Sequence, residues 1–203
     1  MKVKFLEPEE TQRLRDYLKE NRGYSDYYPL IELMLYSGCR ADEVMRIRPC
    51  DIVPSTKKFT GHWVTIFQGS KGSHGRPIPF ELYKTNEICI HMLNRAAIVG
   101  LSLNKPFSDL ASGSLRKITR TEMIRYHWKN IAAEVFKGSR AETFTLHCLR
   151  HTFCKDYYEF KQNLEKTRKM LGHKSLASTQ HYLSFIGYES AADDLIELQR
   201  GGK

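Results

Sequence analysis

The sequence has no apolar run near the ~18–20 residues needed to span a bilayer, and its N-terminus has no apolar signal-peptide core. It also lacks internal repeats, low-complexity tracts and an obvious interdomain linker. The five cysteines are odd in number and include no C-x-x-C pair, so reduced, buried thiols are the simplest interpretation. These absences predict a soluble protein of the cytoplasm or the nucleoid, with no membrane partner.

Acidic residues are scarce relative to basic ones: 32 Lys and Arg stand against 23 Asp and Glu, a formal net charge of +9. A basic domain suits a polyanionic partner, because each phosphate that it neutralises releases counterions. A merely soluble basic surface would have the same balance, so charge alone leaves both interpretations open. The 203 residues favour a single domain and can bury a core without a metal or a disulfide.

Residue patterns predict helices interrupted by one short sheet. A proline followed by acids predicts a helix from Pro8 to about Asn21, and an apolar stripe predicts another over Tyr27–Ser37. β-Branched and aromatic residues with a Gly-rich turn predict a small antiparallel sheet within Asp51–Pro79. The other predicted helices are about Ala41–Ile47, Leu82–Ala97, Thr121–Phe136, His147–Phe160, Leu164–Leu171, Leu176–Phe185 and Ser190–Gln199. With an irregular stretch over Leu101–Arg120, the outline is an α+β fold that is mainly helical.

Four segments concentrate residues that are suited to chemistry. They are Ser37–Val44, Gly69–Gly72, His147–Thr152, and Leu171–Ser175 with Tyr182 after it. Each segment taken separately is weak evidence for a catalytic function. An arginine after a glycine turn is more often an ion-pair partner, a lysine in a hairpin is usually only solvated, and a tyrosine on an amphipathic helix is usually packing.

In this order and spacing the four segments resemble the tyrosine recombinase family, which includes phage integrases, over about Leu6–Tyr188. The specific part is His-x-x-Arg-His-Thr followed by Leu-Gly-His, with Tyr182 nine residues after His173. The resemblance implies a catalytic domain over residues 1–186 and a C-terminal helical tail over 187–203. It also implies an enzyme that cleaves and rejoins DNA at specific sites through a 3′-phosphotyrosyl bond.

The chemistry of phosphodiester cleavage accounts for the residue types. Two guanidiniums grip the non-bridging oxygens bidentately, so Arg40 and Arg150 are the expected clamp. Tyr182 is the expected nucleophile, and it must lose its proton as it attacks. His147 is our candidate for the acceptor of that proton.

The leaving 5′ oxygen needs a proton, which Lys71 would donate. Lys57 and Lys58 also lie near the predicted sheet, but Lys71 is in a Gly-flanked turn, where the family places its lysine. His173 would hydrogen-bond the phosphate and help to position the helix of the nucleophile. The ester conserves the bond energy, so rejoining is expected to need no cofactor, neither ATP nor a metal.

His147 and His151 also have the i, i+4 spacing of a zinc pair. A metalloprotease of that type would need Glu directly after the first His, and this chain has Cys148 there. We therefore expect no metal site, and we interpret His151 as a structural residue beside Arg150.

Two other functions would be compatible with the same sequence features. One is relaxation of DNA by a type IB topoisomerase, and the other is a DNA-binding module that has lost catalysis. The resemblance implies double-stranded DNA and further copies of this chain, in a tetramer, as partners. The C-terminal tail would then dock on a neighbouring copy, although it could equally pack on its own domain. Family members usually have an additional N-terminal helical domain, so we expect this chain alone to bind DNA weakly and with strong salt dependence.

Overall fold

The computed structural model describes residues 4–21, 26–54, 62–66, 75–80, 83–111 and 120–180. Helices dominate these residues, and three strands form one small sheet. The helices are α1 (Pro8–Asn21), α2 (Tyr28–Ser37), α3 (Ala41–Val44), α4 (Tyr83–Ile98), α5 (Ser108–Ala111), α6 (Arg120–Val135), α7 (Cys148–Lys161) and α8 (Leu164–Leu171). The strands are β1 (Ile52–Pro54), β2 (His62–Ile66) and β3 (Arg76–Phe80), and short 3₁₀ turns lie at Pro49–Asp51 and Arg140–Thr143.

The central helix is α2, which is apolar on nearly all sides and packs against α1, α4 and α7. A helix that is hydrophobic all round is expected to be buried, and Leu30 and Ile31 are fully buried here. The helix ends at Gly38 in the left-handed conformation, with φ at +63°. A Cβ at Gly38 would lie 2.4 Å from Cδ1 of Phe153. Glycine is therefore required both by the left-handed backbone and by the close approach of Phe153. Arg40 lies two residues after Gly38, directly beyond the buried helix.

The sheet is antiparallel in the order β1-β2-β3. Val64 of β2 pairs with Ile52 on one side and with Ile78 on the other. Strand β3 contains Pro77 and Pro79, which an edge strand accommodates because it needs no ladder bonds on its outer side. Ile52 and Ile78 are buried in the main core, so the sheet is fixed to the helices by apolar contacts.

The predicted fold class, mainly helical α+β with a small antiparallel sheet, is confirmed. The expectation of an irregular Leu101–Arg120 was wrong in part, because α5 lies within it. The hydroxyl of Ser108 donates to the carbonyl of Met45 at 2.8 Å, which ties this segment to the core. The expectation of buried thiols was correct for four cysteines and wrong for Cys50, which is exposed. No helix in the described part of the chain is long and apolar enough to cross a membrane.

Candidate active site

Arg40 lies in the tight connection between α2 and α3, as the sequence predicts. It is the residue that precedes α3, and its backbone N–H donates to Oε2 of Glu43 at 3.0 Å. Its side chain is about one-fifth exposed, and Nη1 lies 3.6 Å from Oε1 of Glu43. Since hydrogen bonds of this kind are usually 2.7–3.2 Å long, Glu43 fixes the backbone of Arg40 and holds its guanidinium only loosely.

The guanidinium of Arg150 is fixed from two directions. Arg150 is fully buried on α7, where Nη1 donates to the carbonyl of Gly38 and Nη2 donates to that of Leu171 at 2.8 Å. These carbonyls lie at the C-terminal ends of α2 and α8, and cations are favoured at such ends by the helix dipole. One side chain therefore joins three helices, and its planar group is held before any ligand arrives.

His173 follows the end of α8 and is buried, with only 1% of its surface exposed. Its Nδ1 shares a hydrogen bond of 2.8 Å with the hydroxyl of Thr179, and the carbonyl of His173 accepts one from Arg168. Burial lowers the pKa of His173 to about 3. The further causes are the cations nearby, Arg150, Arg40 and Arg76, which Glu43 opposes.

His147 precedes α7 and is partly buried. Burial, with the cations of Arg150 and Arg40, lowers the pKa of His147 to about 4. Its ring meets that of His151 edge to face, with 4.7 Å between the ring centroids. Both His147 and His173 are therefore neutral near pH 7 and can accept a proton or a hydrogen bond.

Two charged residues of the cluster were not assigned a role from the sequence. Glu43 is fully buried, and Oε2 of its carboxylate accepts a hydrogen bond of 3.1 Å from Nη2 of Arg76, at the start of β3. Glu43 belongs to the predicted Arg40 segment, so its place in a Gly-Cys-Arg-x-x-Glu sequence was an available signal. Arg76 had no comparable signal, because only the tertiary fold brings the start of β3 within hydrogen-bonding distance of Glu43.

A groove of about 970 Å³ opens beside Arg40 and His147. One wall is α6, on which Arg125 and Lys129 are exposed on successive turns, with the buried Trp128 beside them. Neither Arg125 nor Lys129 has an ion-pair partner among the residues that the structure describes. A negatively charged chain in this groove would meet both cations next to the arginine cluster.

The structure thus brings together four of the six predicted site residues: Arg40, His147, Arg150 and His173. Lys71 and Tyr182 lie outside the described residues, and so do the predicted tail 187–203 and the alternative lysines, Lys57 and Lys58. A pair of guanidiniums beside two neutral imidazoles can bind an oxyanion and accept a proton. This combination suits transfer of a phosphoryl group.

Comparisons with known proteins bear on the family of this chain. The model of the phage integrase family matches residues 4–185. Tyrosine recombinase XerC of Listeria welshimeri is 28% identical over 153 residues, which are 75% of this chain and 47% of that protein. The tyrosine recombinase of Pseudothermotoga lettingae is 27% identical over 91% of this chain and 57% of its own length. The chain spans about half the length of the curated relatives it matches.

A solved structure with the same fold is that of the XerH site-specific recombinase bound to its palindromic difH substrate. It superimposes with a TM-score of 0.67 at 19% identity, over 94% of this chain and 52% of that one. The family model covers nearly the whole sequence, and the chain therefore belongs to the phage integrase family.

Proposed function

We propose that this chain is the catalytic domain of a site-specific DNA recombinase that cleaves and rejoins strands through a 3′-phosphotyrosyl intermediate. The observation that carries the proposal is the convergence of Arg40 and Arg150 with two neutral histidines, His147 and His173. Family membership and relatives that are named tyrosine recombinases support it.

The two arginines form the phosphate clamp of the proposed reaction. Negative charge grows on the non-bridging oxygens as the phosphorus is attacked, and fixed cationic donors stabilise it without reorganising. Arg150 suits this role because two backbone carbonyls already hold its guanidinium. Arg40 suits it because Nη1 is buried and makes no hydrogen bond to the described residues.

The attacking group in this proposal is the hydroxyl of Tyr182. Its oxygen bonds to phosphorus as the bond from phosphorus to the 5′ oxygen breaks, and its proton passes to His147. Burial lowers the pKa of His147, and the cations of Arg150 and Arg40 lower it further. A bound phosphodiester anion would raise that pKa by offsetting the two cations. Lys71 protonates the leaving 5′ oxygen, and His173 donates a hydrogen bond to the phosphate.

Double-stranded DNA is the proposed substrate and partner. Arg125 and Lys129 line the groove beside the cluster, and this supports a path for a DNA strand through the groove. Residues 1–186 form the catalytic domain in this proposal, and the tail 187–203 docks on a neighbouring copy in a tetramer. Rejoining needs no cofactor, because the phosphotyrosyl ester retains the energy of the broken bond. Action on nucleoid DNA follows from the proposed substrate.

Covalent trapping tests the proposal. A pool of nicked duplexes of randomised sequence is incubated with the chain, because cleavage beside a nick releases a short strand and leaves the protein attached. We expect adducts that survive SDS, whose sequences share a preferred site. Tyr182→Phe should abolish them, whereas the matched variant Tyr188→Phe should not.

The same assay separates the other candidate functions. Adducts at arbitrary sequences, with relaxation of any supercoiled plasmid, would support a topoisomerase-like enzyme instead. DNA binding without an adduct from the unsubstituted chain would indicate a catalytically silent module. Adducts that persist in Tyr182→Phe would refute the assignment of the nucleophile.

A further inference from the structure

Arg76 connects the sheet to the arginine clamp through one buried carboxylate. Its side chain is buried at the start of β3, with Nη2 at 3.1 Å from Oε2 of Glu43 and at 3.5 Å from Sγ of Cys39. Oε2 of Glu43 also accepts the backbone N–H of Arg40. A single carboxylate therefore contacts two arginines that come from different parts of the chain.

The two contacts differ in strength. Arg76 approaches Glu43 within hydrogen-bonding distance, at 3.1 Å, while Nη1 of Arg40 is 3.6 Å from the other carboxylate oxygen. A buried carboxylate is costly unless cations or hydrogen bonds compensate it. Arg76 supplies this compensation, and so the guanidinium of Arg40 is not drawn into a close ion pair with Glu43.

We propose that Arg76 is a positioning residue, which occupies Glu43 so that the guanidinium of Arg40 stays available to the scissile phosphate. This inference rests on the proposed function. In this proposal, loss of Arg76 draws the guanidinium of Arg40 towards the carboxylate of Glu43, and the clamp loses one of its two arms. Arg76 acts through Glu43 and does not itself touch the DNA.

The structure suggests a test by rescue. Arg76→Gln removes the compensating cation, and Glu43→Gln removes the group that would capture Arg40 but keeps an oxygen for the backbone N–H of Arg40. In the full 203-residue chain, the Arg76→Gln variant should form adducts more slowly by on the order of 10²-fold at saturating DNA, the cost of a misplaced catalytic group. Adding Glu43→Gln should restore much of that rate. Arg76→Lys, which keeps a cation, should lie between.

A neutral substrate supplies a second readout. With a methylphosphonate at the trapped cleavage site, the phosphorus carries no anionic oxygen, so the clamp matters less. The defect of Arg76→Gln should shrink on this substrate, as should that of Arg40→Ala. The control Arg95→Gln breaks an ion pair of 2.8 Å with Asp26, outside the cluster, and should leave both rates unchanged.

Each failure has its own meaning. A double variant that is slower than Arg76→Gln, or a defect of equal size on both substrates, would refute the positioning role and leave Arg76 as a structural tie. A defect in adduct formation that is fully explained by lower thermal stability would also refute the positioning role. An unsubstituted chain that forms no adduct would refute the proposed function, and the inference with it.

Discussion

His173 makes the stability of this fold depend on pH. Its ring is 1% exposed, and burial, followed by three neighbouring arginines, lowers its pKa to about 3. In the unfolded chain a histidine has a pKa of about 6.5. Because the folded pKa is below the unfolded one, the contribution of the neutral ring is complete above pH ~6.5 and is lost as the pH falls towards the folded value.

The size of the effect follows from proton linkage. Between about pH 8 and about pH 5 the unfolded ring gains a proton and the folded ring does not, which lowers the free energy of unfolding by roughly 2 kcal/mol. His147, with a pKa of about 4, changes stability in the same direction. Its share is smaller than its pKa implies, because the ring is partly exposed and water screens the neighbouring charges.

The assay is urea unfolding at these two pH values. His173→Gln keeps a side chain that can pair with Thr179 but cannot titrate, so it should lose roughly 2 kcal/mol less than the unsubstituted protein on acidification. The control His91→Gln replaces a histidine of α4 that lies outside the cluster, so it tests whether the change in acid sensitivity is specific to His173. An unchanged acid sensitivity in His173→Gln would show that the neutral buried ring is not its source.

Two further predictions concern the groove and the end of α2. Replacing Arg125 and Lys129 together by Gln should weaken binding to duplex DNA and reduce the slope of log K against log salt by about 2. The charge-matched control replaces Lys19 and Lys137, which are exposed and do not line the groove, and it should retain the slope. Equal slopes for the two double variants would contradict binding of DNA phosphates along α6. Gly38→Ala should lower the free energy of unfolding by about 3 kcal/mol, because the new Cβ strains a left-handed backbone and overpacks against α7. Chemical denaturation measures this change. An unchanged free energy of unfolding would show that the turn relaxes to accept the side chain.

The sequence predicts the local parts of the site well. Gly38 ends one helix and acids begin the next, so the position of Arg40 in a tight turn depends on neighbours in sequence alone. The spacing of Arg150 from His147 is likewise contained within the start of one helix. Such features are accessible because capping and turn preferences act over a few residues.

The remaining parts depend on contacts between distant segments. Arg76 donates to Glu43 across 33 positions of the sequence, and α5 is tied to the core through Ser108 and a carbonyl of another segment. Neither contact has a periodic pattern or a motif that marks it. The neutral state of His173 is equally hidden, since it results from burial and from arginines in three separate segments.

The neutral state of His147 also bears on when the site can react. In the free protein its low pKa makes it a poor base, because burial disfavours a charged ring and because Arg150 and Arg40 oppose its positive charge. A phosphodiester between the same arginines brings a negative charge that favours the protonated ring. In the proposed reaction, the base therefore gains strength at the moment when the substrate fills the clamp. Within this proposal, binding of the substrate and deprotonation of the nucleophile are coupled through the charges of the clamp.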